Sequence, residues 1–212
     1  PISVCLPAIL IKWHKRIPLT LWVLDLWPQT LTAVGLLKEG GIAVKILTML
    51  VKFIYRNCDL ILGQSKSFVK EISKYCDEDE KVKYFPNWYE DIYSQSNYLP
   101  APEIIKYKST FDIIFAGNIG DAQDFPTIVK AMELIRPHEN IRLIVIGEGR
   151  KYQWLKDVVK SKNLESKVVL LGRFANTRMP EFFLHADAFL VSLRPHEIFD
   201  KTIPGKLQSY LI

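Results

Sequence analysis

Cysteine is scarce and scattered in this chain. Cys5, Cys58 and Cys76 are odd in number and include no Cys-x-x-Cys pair. That excludes a disulfide framework and a zinc ribbon, and it fits a reducing compartment. The four histidines, His14, His138, His185 and His196, have no metal-ligand spacing. Dense Lys/Arg runs and nucleic-acid module signatures are missing too. The net charge of +5 therefore points to phosphates or lipid head groups and not to nucleic acid. No glycine loop ends in Gly-Lys-Ser/Thr, and none carries the third glycine of the dinucleotide fingerprint. No signal peptide is visible. The chain opens Pro1-Ile2-Ser3 without Met and closes Tyr210-Leu211-Ile212 within a helical pattern, so it reads as the interior of a longer protein.

What is present is ordinary globular material. Hydrophobic residues make up 49% and charged residues 24% of 212, enough for one large domain or two small ones. Residues 4–15 have a helical pattern, and 19–26 (LTLWVLDL) read as a buried strand. A helix starts near Pro28, and 41–57 is a second, very apolar helix. Residues 59–62 form a strand, 65–75 an amphipathic helix with Ser65 as its N-cap, and 81–85 a short strand. Residues 89–109 lose all periodicity and read as a linker. Beyond them strands at 111–116, 141–146, 168–171 and 187–192 alternate with helices at 124–136, 149–163 and 177–185 and one from Pro204. That alternation predicts a parallel sheet covered on both faces, with ligands beyond the carboxyl ends of its strands.

Three successive strands end in glycine, at Gly117, Gly147 and Gly172. In FDIIFAGNIGDAQD, Gly117 and Gly120 can take backbone angles closed to other residues. A strand, a glycine turn and a helix start are expected to gather unpaired N–H groups that favour an anion. The alternative is plain turn chemistry for helix entry. Glu148, between Gly147 and Gly149, can meet a ribose or cap the next helix. Lys206 follows Pro204-Gly205 in a helix first turn, where the dipole disfavours a cation. It is tolerable there if a phosphate shares the site; otherwise it is a solvated lysine. Along 41–57, Lys45, Thr48, Lys52 and Arg56 lie on one helical stripe. A basic stripe beside a wide apolar face suits a helix in an anionic membrane interface, too short and too charged to span it. A buried helix whose lysines snorkel outward fits as well.

The order strand-Gly-Asn-x-Gly, strand-Gly-Glu-Gly, strand-Gly-Arg, then Pro-Gly-Lys resembles the donor-binding domain of family four glycosyltransferases. LDLWP at 24–28 and TIPGKLQSY at 202–210 resemble a branch that transfers aminosugars such as N-acetyl-fucosamine in bacterial O-antigen and capsule synthesis. The resemblance covers nearly the whole chain. It implies an α/β GT-B fold of two Rossmann-like, doubly wound domains, here an interior fragment of both. Residues 1–90 would be the second half of the acceptor domain, 91–108 a linker, and 109–212 the truncated donor domain. It implies a retaining transfer from a UDP-sugar to a polyprenyl-diphosphate-linked saccharide, with no metal and no further cofactor. The setting would be cytoplasmic, peripheral on the inner face of the plasma membrane through Lys45, Lys52 and Arg56. The fragment alone is expected to be inactive.

Site residues follow position by position. Gly117, Asn118 and Gly120 match the loop that meets the donor diphosphate. Many relatives carry Arg at Asn118 and Lys a few residues on, where this chain has Gln123 and Asp124, so Lys206 is left to balance phosphate charge. Gly147 and Glu148 join that rim, and Arg173 and Phe174 match the segment lining the nucleobase. Thr202, Pro204, Gly205 and Ser209 complete the donor set. Family members often carry two glutamates separated by seven residues. Glu197 or Asp200 stands for the first, and Ser209 falls where the second would be. Asp25 falls near the position of a catalytic histidine in many relatives. Two other classes stay open: a nucleotide-sugar epimerase of the same architecture, for which the chain offers Asp112 but no recognisable helix-borne carboxylate pair, and a non-catalytic nucleotide-binding or membrane-scaffold protein.

Overall fold

The computed structural model describes residues 2–88, 91 and 97–211. In chain order its first elements are α1 (Cys5–Lys15), β1 (Thr20–Val23), α2 (Gln29–Ala33), α3 (Ile42–Asn57), β2 (Leu60–Gly63), α4 (Lys66–Ser73) and β3 (Val82–Tyr84). Then come β4 (Phe111–Ala116), α5 (Phe125–Leu134), β5 (Ile141–Ile146), α6 (Tyr152–Ser161) and β6 (Val168–Gly172). Last are α7 (Met179–Phe183), β7 (Ala188–Phe189), α8 (Glu197–Asp200) and α9 (Lys206–Tyr210). The chain divides into two compact units, one of Pro1–Asn87 with Pro195–Ile203, the other of Trp88–Arg194 with Pro204–Ile212.

The first unit holds a parallel sheet in the order β1-β2-β3. Its core gathers Ile9 of α1, Val51, Ile54 and Tyr55 of α3, Ile61 of β2, and Phe68 and Ile72 of α4, all at most 1% exposed. The Ser65 hydroxyl accepts from the Phe68 N–H at 3.0 Å and so caps α4 as expected. The strand expected over 19–26 stops at Val23, because Leu24 and Asp25 turn out to solvent.

The second unit holds a parallel sheet in the order β6-β5-β4-β7. Its strands are nearly unbroken apolar runs because both faces are covered. Phe115, Leu143 and Val145 point to one face, against Phe125 and Val129 of α5 and Leu155 and Val159 of α6. Ile114, Ala116, Ile144 and Ile146 point to the other, against Met179 and Phe182 of α7. The strand expected over 187–192 shrinks to Ala188–Phe189. Residues 92–96 of the expected linker lie outside the described residues. From Ala101 the chain is packed: Ala101 and Ile104 are buried, and the Ala101 N–H donates to Glu181 O at 3.1 Å. The stretch 195–203 groups with the first unit and not with the rest of 109–212.

Candidate functional site

The carboxyl edge of the second sheet is built by adjacent strand ends. The Gly117 N–H donates to Ile146 O at 2.8 Å and the Gly147 N–H to Gly172 O at 2.7 Å. The ladder therefore runs to the last residue and sets the three glycines side by side. All three have positive φ: +141°, +141° and +80°. A Cβ on Gly147 would lie 2.0 Å from Gly117 O, which only glycine permits. The result is a cavity of about 440 Å³ lined by Gly117, Asn118, Gly147, Glu148, Arg173 and Phe174 among others. Six of the expected donor residues thus share one wall. Phe174 is braced against Phe182, with ring centroids 4.6 Å apart.

Lys206 supplies the charge. Its Nζ is buried and has no hydrogen-bond partner among the described residues. It lies 3.4 Å from the Phe115 ring centroid, and 3.1 Å from where a Gly117 Cβ would be. The solvated-lysine alternative is thereby excluded. Burial lowers the amine to about 7, because the low-dielectric surroundings disfavour the charged form. The cation–π contact opposes this but is worth only ~2 kcal/mol.

Two details of the expected cradle are corrected. The turn does not gather free N–H groups: those of Gly117, Ile119 and Gly120 are bound to Ile146 O, Glu148 O and the Gln123 side chain. Gly120 has an ordinary φ of −129°. A Cβ there would meet the Asn118 amide at 2.6 Å. Gly120 lines a separate cavity of about 100 Å³ with Asp121, Lys151 and Arg194. The positive charge of the edge therefore lies with Arg173, which lines the cavity, and with Lys206, whose Nζ lies beside Gly117 but outside that lining, and α9 is a single short helix of five residues.

The remaining candidates fall elsewhere. Pro204 and Gly205 lead into α9, which carries Ser209. Thr202, in the segment that packs with the first unit, donates its hydroxyl to Ile198 O at 3.0 Å. Glu197 pairs with Lys201 at 2.5 Å, in a cavity of about 220 Å³ of the first unit shared with Gln29, Glu71 and His196. Lys201 holds its carboxyl below the ordinary range. Asp200 is exposed on α8. Asp25 lines a different first-unit cavity of about 250 Å³ with Trp22, Trp27 and Tyr55. Asp112 is fully buried at the amino end of β4, bound by Arg142 at 2.8 and 3.0 Å. It stands at the opposite end of the strand from the glycine edge. Among the described residues no group of three or more His, Cys, Asp or Glu is arranged to hold a metal.

Two participants escaped the sequence reading. The Tyr210 hydroxyl accepts from the Ala116 N–H at 2.7 Å and donates to Ala116 O at 3.2 Å, while its ring stacks on Phe189 at 4.4 Å. That clamp ties α9, which carries Lys206, to β4. Its only sequence signal is the i, i+4 spacing of Lys206 and Tyr210. Glu71, buried on α4, accepts from Lys74 and Lys201 at 2.8 Å each, a pairing across 130 residues that no local pattern carries.

Comparison with known proteins decides what this edge belongs to. A family model described as glycosyl transferases group 1 matches residues 101–199. WbjE of Pseudomonas aeruginosa, named as a probable glycosyltransferase, is 27% identical over 87% of this chain and 47% of its own length. The match over 101–199 and the curated relatives support a family four glycosyltransferase. A second relative is the Campylobacter jejuni N-acetylgalactosamine-N,N'-diacetylbacillosaminyl-diphospho-undecaprenol 4-alpha-N-acetylgalactosaminyltransferase. It is 27% identical over 66% of this chain and 38% of its own length. The GT-B fold is shared with Alr3699/HepE of Anabaena, solved in complex with UDP and glucose. The TM-score is 0.71 at 12% identity, covering 91% of this chain and 51% of that one. The chain spans about half the length, or less, of the curated relatives it matches.

Proposed function

We propose that this chain is the part of a retaining glycosyltransferase that holds a UDP-sugar donor and passes its sugar to a hydroxyl of a lipid-linked saccharide. The observation that carries the donor half is the buried Lys206 amine, without an acceptor, beside the Gly117–Gly147 turn pair. In glycosyl transfer the departing diphosphate gains negative charge while the sugar becomes cationic, and fixed positive groups aimed at the former lower the barrier. Lys206 is the cation of the described residues placed at this turn, and Asn118 adds a hydrogen-bonding amide. Arg173 and Phe174 line the same cavity and suit a nucleobase. We infer that Lys206, and not a bound metal, meets the diphosphate, so that donor binding persists in EDTA. The test is calorimetry of the full-length protein with UDP, GDP, ADP and CMP. UDP binding is expected, and absence of heat from all four would sink the reading.

The lipid-linked acceptor is supported by the name of the Campylobacter relative, and a bacterial surface-polysaccharide setting by that of an Escherichia coli relative, a putative colanic acid biosynthesis glycosyl transferase. Membrane attachment, on the cytoplasmic inner face of the plasma membrane, is supported by α3. Its second half is core, but Ile42, Ile46, Met49 and Phe53 are exposed beside Lys45 and Lys52. Arg56, the third member of the stripe, pairs with Asp77 at 2.7 Å. No helix among the described residues is long and apolar enough to cross a membrane. Replacing Lys45, Lys52 and Arg56 by Glu should weaken binding to anionic vesicles by ~100-fold or more, at ~1 kcal/mol per basic group. Vesicle co-sedimentation unchanged by the substitutions would remove the attachment.

A further inference from the structure

Lys206 raises a question that donor binding alone does not answer: how a charge survives in this place when the cavity is empty. An ammonium ion has three donors and accepts nothing. Here the amine is buried, without a hydrogen-bond partner among the described residues, and lies against an aromatic ring. The charges on the surrounding elements are engaged with one another. At the far end of β4, Asp112 is bound to Arg142, and Asp187, before β7, is bound to Lys106. Beyond the Gly117 turn, Asp121 faces Arg150 and Lys151 at 3.3 and 3.2 Å. Glu148 and Arg173, on the turns after β5 and β6, are exposed and line the cavity itself. The Arg194 N–H holds Ala122 O, and on α9 itself the Tyr210 hydroxyl is committed to Ala116. Burial accordingly dominates, lowering the amine against the weaker pull of the Phe115 ring.

We propose that this edge binds its phosphate anion together with a proton: Lys206 is a neutral amine in the empty site and becomes an ammonium ion when the anion occupies the cavity. The proton comes from solvent on binding and returns to it when the nucleotide leaves, so a full turnover takes up none. A neutral amine carries no desolvation penalty in the empty state, and an anion at hydrogen-bond distance supplies both the acceptor and the counter-charge that the ammonium needs. The inference rests on the diphosphate-binding reading of this edge.

The test counts protons. Calorimetric titration of UDP into the full-length protein at pH 8, in buffers of different ionisation heat, should show uptake of close to one proton per UDP. The phosphate of UDP is itself unprotonated there, with its last ionisation near ~6. The dissociation constant should rise ~tenfold per pH unit above about 7. Lys206→Arg, whose guanidinium does not titrate in this range, should take up none and show a flat profile. As a check that needs no variant, a ¹³C-labelled lysine resonance of the empty wild type should titrate near neutral pH and move to higher pH with the anion. Sulfate, which carries no proton of its own, serves as a second probe. UDP binding without uptake, or uptake that persists in Lys206→Arg, overturns the proposal and leaves the donor reading standing. Uptake with sulfate but no binding of UDP keeps the proposal and overturns the donor reading. No binding of either anion overturns both.

Discussion

At the carboxyl ends of β4, β5 and β6 the chain leaves three glycines at positive φ and a buried lysine amine with no acceptor. Around β2 and α4 of the first unit the chain closes its own charges. Lys201 sits between Glu71 and Glu197 at 2.8 and 2.5 Å, and Glu71 also receives Lys74. The Gln64 amide reaches Leu24 O at 2.8 Å and takes a bond from Asn87 at 2.9 Å. Both regions are edges of parallel sheets, so the fold class does not account for the difference. A satisfied polar network costs little to keep empty, whereas an unsatisfied one lowers stability unless something binds. In the first unit the unpartnered buried atoms include the neutral amide oxygens of Gln29 and Asn87, whereas the second edge leaves an ionisable amine unpaired, and it is the stronger candidate for an anionic ligand.

The comparison breaks most clearly at Lys206. Its amine is held at about 7, against ~10.4 in the unfolded chain. Between these values the unfolded state binds the extra proton, so this group makes stability rise with pH from about 7 to about 10. At and below pH 7 the full penalty applies, on the order of 4–5 kcal/mol at 1.36 kcal/mol per unit. Lys206→Met, which keeps the buried stem, should therefore stabilise the empty protein by several kcal/mol at pH 7. The gain should fade by pH 10, and UDP affinity should drop by at least ~1.5 kcal/mol. Urea denaturation at the two pH values checks it. A variant less stable than wild type at pH 7 would mean that the amine is satisfied after all.

Next in size are the glycines. Gly147→Ala puts a methyl group 2.0 Å from a backbone oxygen at a positive φ, a clash no side-chain movement relieves. A loss on the order of 3 kcal/mol or more is expected. Gly172→Ala meets nothing within 4 Å and should cost only the left-handed penalty of ~1–2 kcal/mol. Equal losses in thermal denaturation would show that backbone angle alone sets the requirement, and the packed pair of turns would lose its meaning.

In the first unit Glu71→Gln should cost ~2 kcal/mol, since Lys201 keeps only the exposed Glu197 as an ionic partner. Burial raises the Glu71 carboxyl, but the hydrogen bonds from Lys201 and Lys74 outweigh it and hold the group below its usual value. Its contribution is therefore present above pH ~4.5 and is lost as pH falls through the lower folded value. Wild type and variant should converge in stability once pH has fallen below that lowered folded value. A difference that persists there would assign Glu71 a packing role instead of an ionic one.

The same contrast explains what the sequence could and could not show. The strands of the second unit were readable because burial on both faces leaves unbroken apolar runs such as FDIIFA and IRLIVI, and their glycine ends follow directly. The α4 cap was readable because Ser65 acts on a neighbour three residues away. The N–H cradle was misread because its partners, Ile146 O and Glu148 O, come from the next strand and turn. Gly120 was misread because its constraint is the Asn118 side chain and not its own φ. The inward aim of Lys206 and the pairing of Lys201 with Glu71 depend on contacts 91 and 130 residues apart (Phe115 to Lys206, Glu71 to Lys201), which no local period encodes. The carboxylates singled out as catalytic, Asp25, Glu197 and Asp200, all fall in the first unit, with Asp25 and Glu197 in separate cavities.

The smallest expected effect sharpens the role of the Tyr210 clamp. Tyr210→Phe keeps the ring that stacks on Phe189 at 4.4 Å and removes only the hydroxyl that serves both Ala116 groups. The stability cost should be ~1 kcal/mol, the net value of a hydrogen bond, with somewhat more if the Ala116 N–H is left buried and unpaired. The informative reading is UDP affinity. If the hydroxyl does no more than hold β4, donor binding should follow stability and change little at temperatures well below unfolding. If it aims Lys206, α9 gains freedom and the amine is no longer fixed over Phe115, so the dissociation constant should rise by several-fold while the fold stays intact. The midpoint of the Lys206 titration should also climb above about 7, because an amine free to reach water loses the burial that lowers it. Calorimetry gives the first quantity and the lysine resonance the second. A loss of stability with both unchanged would make Tyr210 a structural staple and leave the aim of Lys206 to the packing of α9 alone.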